Sequence, residues 1–246
     1  MSVIDTLFTG RAAPLARDGY PPVASGIVKT AQSSPLWLSR NGLAGDEQGD
    51  AVYHGGPEKA VHHYAAEHYA WWQSCHHDSP VALVAGAFGE NVSTHGMTEA
   101  NVHIGDIYRA GTAIVQVSQG RQPCWKLNRL LRTDGAALAM QMSGATGWYY
   151  RVLQEGWLAP GDRFDLLERP CPGWPLRRLI AALFPVDPQA PGLAQEWQEA
   201  AAIDALTANW RATFARRVQT GALEDWSRRL VEPAHHTATP RQPTRN

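Results

Sequence analysis

Short runs in which apolar and polar residues alternate occupy the first part of the chain and indicate β-strands. The clearest runs lie between glycine-containing turns, at residues 27–30, 81–84, 101–104 and 112–117. A period of two is typical of a strand with one buried face. Residues 104–108 and 160–166 also look alike, each entering a strand through Gly-Asp. Many short strands with glycine-rich turns predict a barrel-like β domain.

Apolar residues recur at helical spacing in the rest of the chain. Helical patterns follow at residues 124–131, 135–142, 176–183, 193–206, 208–219 and 222–231. Residues 58–75 are ambiguous between strand and helix. We therefore predict a fold that is mainly β with α: a β-barrel-like domain at 1–168, then a small domain of three to four helices at 169–232. The tail at 233–246 has nothing to bury and is expected to be disordered.

Composition and charge exclude several classes of function. Hydrophobic residues make up 44% and charged residues 18% of the 246-residue chain, as in an ordinary globular protein. The net charge of −1 and the balanced helical region argue against a nucleic-acid partner or a membrane surface. No signal peptide or membrane-length apolar run is visible, so we expect a cytoplasmic protein. Three cysteines without a CxxC pair argue against a disulfide framework, a zinc site or an iron–sulfur site.

A single cysteine, Cys124, stands at a predicted turn between a strand and a helix. It follows the apolar run at 112–117 and opens the helical pattern at 124–131, with Arg121 and Lys126 on either side. Nearby cations and a helix N-terminus stabilise a thiolate, the form that attacks electrophiles and binds soft metals. The residue alone leaves open the alternative of a buried cysteine that acts as a small hydrophobe.

The rarity of lysine singles out two residues. Of 22 basic residues only three are lysines, Lys29, Lys59 and Lys126. Lys59 and Lys126 lie within segments that carry candidate chemistry. Because arginine is the usual surface cation of this chain, we infer specific roles for these two lysines.

The spacing of histidines and glycines argues against a zinc hydrolase and a nucleotide fold. His63 and Glu67 form HxxxEH, not the HxxEH of the inverzincins, and no HExxH occurs. We therefore expect a solvated or partly buried surface position for four histidines: His62, His68, His76 and His77. The Gly55-Gly56 pair belongs to neither GxGxxG nor GxxxxGK[ST]. Followed by Lys59, the pair can still hold a single phosphate.

Several short motifs occur in a fixed order. They are GDEQGD at 45–50, HGGPEKAV at 54–61, GAFGENV at 86–92, IGDI at 104–107, QVSQGRQPCWKLN at 116–128, SGATGWYY at 143–150 and PGD at 160–162. In this order they resemble a MOSC domain, the module named after the C-terminal part of molybdenum cofactor sulfurase. The resemblance is greatest to the YiiM-like bacterial branch. It is strong over about 20–168 and weaker to about 232, where that branch has a small helical domain.

The resemblance implies a molybdenum cofactor whose metal is bound by the pterin dithiolene and by Cys124. Cys124 would be both the catalytic residue and the only protein ligand to the metal. The implied activity is the reduction of N-hydroxylated compounds of the 6-hydroxylaminopurine type, a detoxification of N-hydroxylated bases. The expected partners are a small-molecule N-hydroxylated substrate and a separate flavin reductase as electron donor. The proton donor stays open between His54 and a metal-bound water.

The resemblance and the local residue chemistry together give six candidate cofactor contacts: His54, Lys59, Asn91, Arg121, Cys124 and Asn128. The cations and His54 suit the anionic end of the cofactor, and the two asparagines suit the edge of the pterin. A turn role is equally open for His54 and for each asparagine.

Other residues of the motifs have different expected roles. We expect Glu90 and Asp106 to be structural. Four aromatic residues could stack on a flat purine or fill the barrel core: Trp125, Trp148, Tyr149 and Tyr150.

Two other functions remain compatible with the sequence. Cys124 could carry a persulfide and transfer sulfur, which needs an exposed thiolate but no metal. The protein could instead be a non-catalytic carrier of the molybdenum cofactor. Metal analysis separates the first alternative from the reductase, and turnover of an N-hydroxylated base separates the second.

Overall fold

A computed structural model describes residues 2–17, 19–49 and 55–232 of the chain. Its strands are β1 (Ser2–Thr9), β2 (Ala13–Arg17), β3 (Tyr20–Ser25), β4 (Thr30–Gln32), β5 (Leu36–Ser39), β6 (Gly42–Leu43), β7 (Val61–Ala65), β8 (Val92–Thr94), β9 (Ile107–Ala110), β10 (Ala113–Gly120), β11 (Trp148–Gln154), β12 (Gly156–Leu158) and β13 (Arg163–Glu168). Its helices are α1 (His68–Cys75), α2 (Lys126–Leu131), α3 (Ala136–Ser143), α4 (Leu176–Leu183), α5 (Leu193–Ala201), α6 (Ala208–Thr220) and α7 (Ser227–Leu230). A 3-10 turn covers Pro57–Lys59. Within these ranges, no helix combines the length and the apolar character needed to cross a bilayer.

Seven strands close into a barrel in the order β1–β13–β9–β10–β11–β7–β8, because β1 pairs with both β13 and β8. Neighbouring barrel strands are antiparallel except for β7 and β8, which are parallel. The two strands that the Gly-Asp entries predict, β9 and β13, pair directly. Closure removes the open sheet edges that would otherwise expose unpaired backbone groups. The predicted mainly β fold with a helical C-terminal region is confirmed.

The C-terminal helices share one apolar core with the barrel. Ile180 on α4 and Trp210 on α6 belong to the same buried cluster as the barrel residues Val115 and Val117. At Gly120, the last residue of β10, an added Cβ would lie 3.0 Å from Ile180 and 3.2 Å from Trp210, so glycine permits this close approach. The predicted boundary after residue 168 coincides with the end of β13, while the division into two domains stays a prediction. Residues 233–246, the predicted disordered tail, lie outside the described residues.

Helices α1, α2 and α3 pack in a second apolar cluster. Trp72 of α1, Leu127 of α2 and Met140 of α3 are buried there together with Tyr64 of β7 and Phe88. The packing fixes α2, the helix that follows Cys124, relative to the barrel strand β7.

Most of the predicted helices are confirmed, and so is the strand predicted at 112–117. The run at 112–117 lies within β10, and the helices predicted at 124–131, 135–142, 176–183 and 208–219 correspond to α2, α3, α4 and α6. The ambiguous segment resolves into β7 and α1. Two predicted helices are too long, since α5 ends at residue 201 and only residues 227–230 are helical in the last segment.

Three predicted strands are wrong, although Leu83 and Val102 in two of these runs are buried by other contacts. Residues 26–29 are irregular, and only Thr30 of the predicted run belongs to a strand. In the run at 81–84, Leu83 enters the α1 cluster and its carbonyl accepts from Gln73 Nε2 at 2.8 Å. The run at 101–104 bonds to the segment that leads into the C-terminal helices, with Leu176 N donating to the Val102 carbonyl at 2.8 Å.

The free energy of unfolding depends on pH through His63 of β7. Its side chain is buried, with Nδ1 3.0 Å from Tyr150 Oη and Nε2 2.8 Å from Thr94 Oγ1. Burial lowers the pKa of His63 to about 3. Between about pH 6.5 and pH 3 the unfolded chain therefore binds a proton at this residue that the folded protein does not. His63 thus stabilises the fold above pH 6.5, and this contribution is lost as the pH falls.

We predict that His63→Gln removes this part of the pH dependence. The wild-type free energy of unfolding should fall by about 1.4 kcal/mol per pH unit below about pH 6.5 from this residue alone. The difference in free energy of unfolding between wild type and His63→Gln should therefore decrease by about 1.4 kcal/mol for each pH unit below about pH 6.5. Urea unfolding at pH 7, 6 and 5 measures this difference. The exposed His77→Gln is the control and should keep the wild-type slope. Parallel curves for wild type and His63→Gln would contradict the prediction.

Candidate active site

A cleft of about 660 Å³ lies where the loops after β3, β6 and β10 meet strands β7 and β11. We call it the cysteine cleft. The residues that line it are Ser25, Gly26, Ile27, Lys29, Asp46, Glu47, Gln48, Gly49, Lys59, His62, Gly89, Asn91, Arg121, Gln122, Cys124, Lys126 and Tyr149. Four of the six predicted cofactor contacts lie among them.

Cys124 is half-buried in the short loop between β10 and α2. Its carbonyl accepts a hydrogen bond from Leu127 N at 2.9 Å, which leads the chain into the helix. Arg121 and Lys126 line the same cleft. The predicted strand-to-helix turn, with a cation on each side of the thiol, is therefore confirmed. Cys75 is exposed and Cys171 lies beyond β13, so neither lines this cleft.

All three lysines of the chain line the cysteine cleft. Lys59 ends the 3-10 turn before β7, and Lys126 begins α2, where its Nζ donates to the Ala24 carbonyl at 3.3 Å. The inference of specific roles from the rarity of lysine fits both positions. It extends to Lys29, which sequence reasoning left out because the residue lies outside the motifs.

Lys29 forms a buried ion pair with Asp46. Asp46 also accepts from the backbone N of Gly10 at 2.9 Å and from Asn91 Nδ2 at 2.9 Å. Burial lowers the pKa of Lys29, and the carboxylate of Asp46 opposes that shift. The pair therefore builds one wall of the cleft from loops that are distant in sequence.

The cleft carries an excess of positive charge. Four lining side chains are cationic (Lys29, Lys59, Arg121 and Lys126), and two, Asp46 and Glu47, are acidic. Asp46 is paired with Lys29, and Glu47 binds the exposed Arg11 at 2.8 Å. The buried guanidinium of Arg121 donates from Nη1 to the Phe88 carbonyl at 2.7 Å, which fixes its position. An anionic ligand complements such a site.

His62 is a cleft residue that sequence reasoning missed. The expected surface position is wrong, because β7 is buried along its whole length and only 4% of His62 is exposed. Its ring lies 5.0 Å from the ring of Tyr149, and its Nε2 faces the backbone at Gly147, where an added Cβ would lie 2.8 Å away. Burial lowers the pKa of His62 well below its usual value, and Arg121 adds to the shift. The imidazole is therefore neutral at neutral pH.

The two predicted asparagines differ in position. Asn91 lines the cleft, but its amide is fully used, because Oδ1 accepts from His62 N at 3.0 Å and Nδ2 donates to Phe8 O and Asp46. Asn128 lies outside the cleft. It accepts from Ala137 N at 2.7 Å and donates to Leu230 O at 3.2 Å. Its amide therefore links α2 to α3 and α7 and does not line the cysteine cleft. His54 lies outside the described residues.

Glu90 and Asp106 have the structural roles that we expected. The buried Glu90 accepts hydrogen bonds from Tyr69 Oη, from Gly86 N at 2.6 Å and from Phe88 N at 3.2 Å. The buried Asp106 accepts two hydrogen bonds from Arg169 and one from Tyr108.

The four aromatic residues divide between the core and the site. Trp148 and Tyr150 are buried in the barrel, whereas Tyr149 lines the cleft. Burial raises the pKa of Tyr149, partly opposed by Arg121, so its phenol is protonated at neutral pH. Trp125 follows Cys124 directly and borders a neighbouring cleft described below.

The family comparisons agree with this geometry. Residues 50–165 match the MOSC domain, and residues 191–221 match the YiiM-like 3-alpha helix domain. The first match contains Cys124, Arg121 and Lys59, and the second covers all of α5 and α6.

Individual relatives extend the match over most of the chain. Protein YiiM of Escherichia coli is 38% identical over 207 residues, which cover 84% of this chain and 90% of that protein. The crystal structure of YiiM from Escherichia coli superposes with a TM-score of 0.76 at 32% identity, covering 94% of this chain and 98% of that one. A protein of Gibberella moniliformis named "Reductase" is 40% identical over 153 residues, 62% of this chain but only 27% of its own length.

Cys124 thus lies between two cations in a loop of the barrel, and the C-terminal helices share the core of the barrel. The identity to protein YiiM of Escherichia coli, 38%, extends over 84% of this chain. The protein belongs to the MOSC family, in its YiiM-like branch with a 3-alpha helix domain.

Proposed function

We propose that the protein is a molybdenum-cofactor-dependent reductase of N-hydroxylated compounds, with Cys124 as the protein ligand to the metal. One observation carries the proposal: the half-buried thiol of Cys124 shares a cleft with all three lysines of the chain and with Arg121. MOSC domains are associated with the molybdenum cofactor, and one relative bears the name "Reductase".

The side chains of the cleft fit this cofactor. A thiolate is a suitable ligand for a soft, redox-active metal. Lys59 and Lys126 line the cleft and can bind the anionic phosphate of molybdopterin through their ammonium groups. The described residues contain no group of three or more His, Cys, Asp or Glu placed to hold a metal, so the proposal assigns the other metal ligands to the dithiolene.

When bound, the cofactor would supply the two-electron chemistry of R–NHOH + 2 e⁻ + 2 H⁺ → R–NH₂ + H₂O. The protein has to orient the N–O group and deliver protons. Tyr149 shares the cleft with Cys124, and burial raises its pKa, so its Oη–H stays in place to donate a hydrogen bond that orients the N–O group. Neutral His62 packs against the Tyr149 ring and helps to position it.

We predict that Cys124→Ser abolishes both molybdenum retention and reduction of 6-hydroxylaminopurine while the fold is kept, because serine is nearly isosteric but is a poor ligand for a soft metal. The protein should be produced with a molybdate supply, and metal, pterin and turnover with a chemical reductant should all be measured. Cys75→Ser and Cys171→Ser are the matched controls and should retain metal and activity. Wild-type activity in Cys124→Ser would refute the proposed ligand.

The same measurements separate the alternatives. A persulfide carrier would purify without molybdenum and with a labile sulfur on Cys124. A cofactor carrier would contain molybdenum and pterin but would not turn over an N-hydroxylated base.

We predict that Lys59→Ala lowers cofactor occupancy more than it lowers the melting temperature of the apoprotein. Loss of one charge-assisted contact to a phosphate costs about 1.5–3 kcal/mol, or roughly a 10- to 100-fold loss of affinity. Pterin content and thermal unfolding give the two readouts. Arg163→Ala removes a half-exposed cation outside the cleft and controls for net charge. Equal occupancy in Lys59→Ala and Arg163→Ala would assign Lys59 a merely structural role.

We further propose that a separate protein, a flavin reductase, supplies the electrons. The chain has no dinucleotide-binding fingerprint, and its three cysteines cannot form a four-thiolate iron–sulfur site. The cofactor-loaded protein with NADH alone should therefore not reduce 6-hydroxylaminopurine, whereas a chemical reductant or an added flavin reductase should restore turnover. Rapid turnover with NADH and no second protein would place the electron-accepting site within this chain.

A further inference from the structure

The C-terminal segment, residues 224–232, folds back onto the helix that follows Cys124. The carbonyl of Arg229 accepts from Trp125 N at 2.8 Å, and the carbonyl of Leu230 accepts from Asn128 Nδ2 at 3.2 Å. Glu232 pairs with Arg129 of α2, at 2.7 Å from its Nε. The segment is therefore anchored at the residue next to the thiol, about a hundred positions away in sequence.

This segment forms one side of a second cleft, which we call the C-terminal cleft, with a volume of about 1260 Å³. It is lined by Lys59, Gln119, Gln122, Cys124, Trp125, Lys126, Tyr149, Asp225, Trp226, Arg228 and Arg229. Cys124 and Tyr149 also line the cysteine cleft, so the two clefts meet at the thiol. Lys59, Gln122 and Lys126 line both clefts as well, so a ligand in the C-terminal cleft lies beside the thiol and two lysines of the cysteine cleft.

Aromatic rings line the C-terminal cleft, and one of them is held firmly. Trp226 packs edge-on against Phe184 of α4, with ring centroids 5.3 Å apart. The fully buried Arg217 lies 5.8 Å from the Trp226 ring and binds Glu224 at 2.7 Å, which fixes the start of the segment. Together with Trp125 and Tyr149, this fixed indole offers flat apolar surfaces that favour stacking with an aromatic ligand.

The same end of the cleft is cationic. Arg228 is exposed and Arg229 is half-buried beside Trp226, at 5.8 Å from the ring. Asp225 accepts hydrogen bonds from Ser227 N at 2.8 Å and from Ser227 Oγ at 2.9 Å. The cleft lining has four cationic side chains, Lys59, Lys126, Arg228 and Arg229, against this one carboxylate, and the excess of positive charge favours an anionic ligand.

We propose that the C-terminal cleft binds the substrate and that it selects flat N-hydroxylated heteroaromatic compounds bearing an anionic group, such as a purine nucleoside 5′-monophosphate, over the uncharged nucleoside or base. The rings of Trp125, Trp226 and Tyr149 receive the base, and Arg228 with Arg229 receives the anion. This inference rests on the proposed reductase function, whose site meets this cleft at Cys124.

The first test uses ligands that cannot be reduced. Binding of adenosine 5′-monophosphate and of adenosine to the cofactor-loaded protein is measured by calorimetry, at low and at high salt. The monophosphate should bind more tightly, and salt should weaken only that advantage. Because one charge-assisted contact is lost, Arg228→Gln should reduce the preference for the monophosphate about tenfold. Arg228 is exposed, so the variant should fold.

Controls make the test specific. Arg177→Gln removes an exposed cation of α4 that lines neither cleft and should keep the wild-type preference. An inorganic phosphate arm tests for a bare anion site, and phosphate binding as tight as that of the monophosphate would overturn the role of the aromatic rings. Equal affinity for adenosine and its monophosphate, or an unchanged preference in Arg228→Gln, would overturn the role of the arginines.

The second test separates this inference from the proposed function. The kcat/KM for N⁶-hydroxyadenosine 5′-monophosphate should exceed that for 6-hydroxylaminopurine, and Arg228→Gln should reduce this ratio about tenfold through KM. If the expected binding preference is found but neither compound is reduced, the reductase proposal fails and the ligand class stands. If both compounds are reduced with equal kcat/KM, the reductase proposal stands and the substrate selection fails.

Discussion

The buried pair of Lys29 and Asp46 is the interaction on which the cysteine cleft depends. Asp46 forms an ion pair with Lys29 and accepts hydrogen bonds from the backbone N of Gly10, after β1, and from the side-chain amide of Asn91, before β8. Asn91 in turn accepts from the backbone N of His62 on β7. Removing one partner of such a pair leaves a buried charge, at a cost of about 3–5 kcal/mol. The irregular loops of the cleft are thereby bound to the rigid barrel strands.

A second buried acid, Glu90, supports the position of Arg121 in the cleft. Glu90 accepts from the backbone of Gly86 and Phe88, and the carbonyl of Phe88 accepts from Arg121. Burial raises the pKa of Glu90, while the hydrogen bonds from Tyr69 and Gly86 and the charge of Arg121 oppose that shift. Asp46 and Glu90 have no assigned part in the proposed reaction, but they position two cations of the cleft. Asp46 holds Lys29 directly, and Glu90 holds Arg121 through the backbone of Phe88. A site whose cations are already ordered loses less conformational entropy on binding an anion than a site of free surface side chains.

The sequence was informative where the chemistry is local. Cys124, Arg121 and Lys126 lie within six residues, and a strand pattern and a helix pattern on either side place them at a turn. The rarity of lysine identified Lys59 and Lys126, and the same signal applied without exception would have included Lys29. His62 could not be found in this way, because burial of both faces of β7 follows from barrel closure and from the packing of α1–α3. Asn128 was misassigned because an amide gives no sign of whether it meets a ligand or a carbonyl such as that of Leu230.

The C-terminal segment shows most clearly what local patterns omit. A short helix with paired arginines is typical of an ordinary solvated surface, and nothing near residue 229 indicates a bond to residue 125. That contact forms because α4 and α6 pack on Gly120 at the end of β10, which brings the end of the chain toward the loop that begins one residue later. The helices therefore do more than cover the barrel, since their packing brings Trp226, Arg228 and Arg229 into a cleft that Lys59, Cys124 and Lys126 also line. In this arrangement the barrel and its loops provide the cationic cleft and the helical region provides much of the second cleft, with Cys124 shared by both.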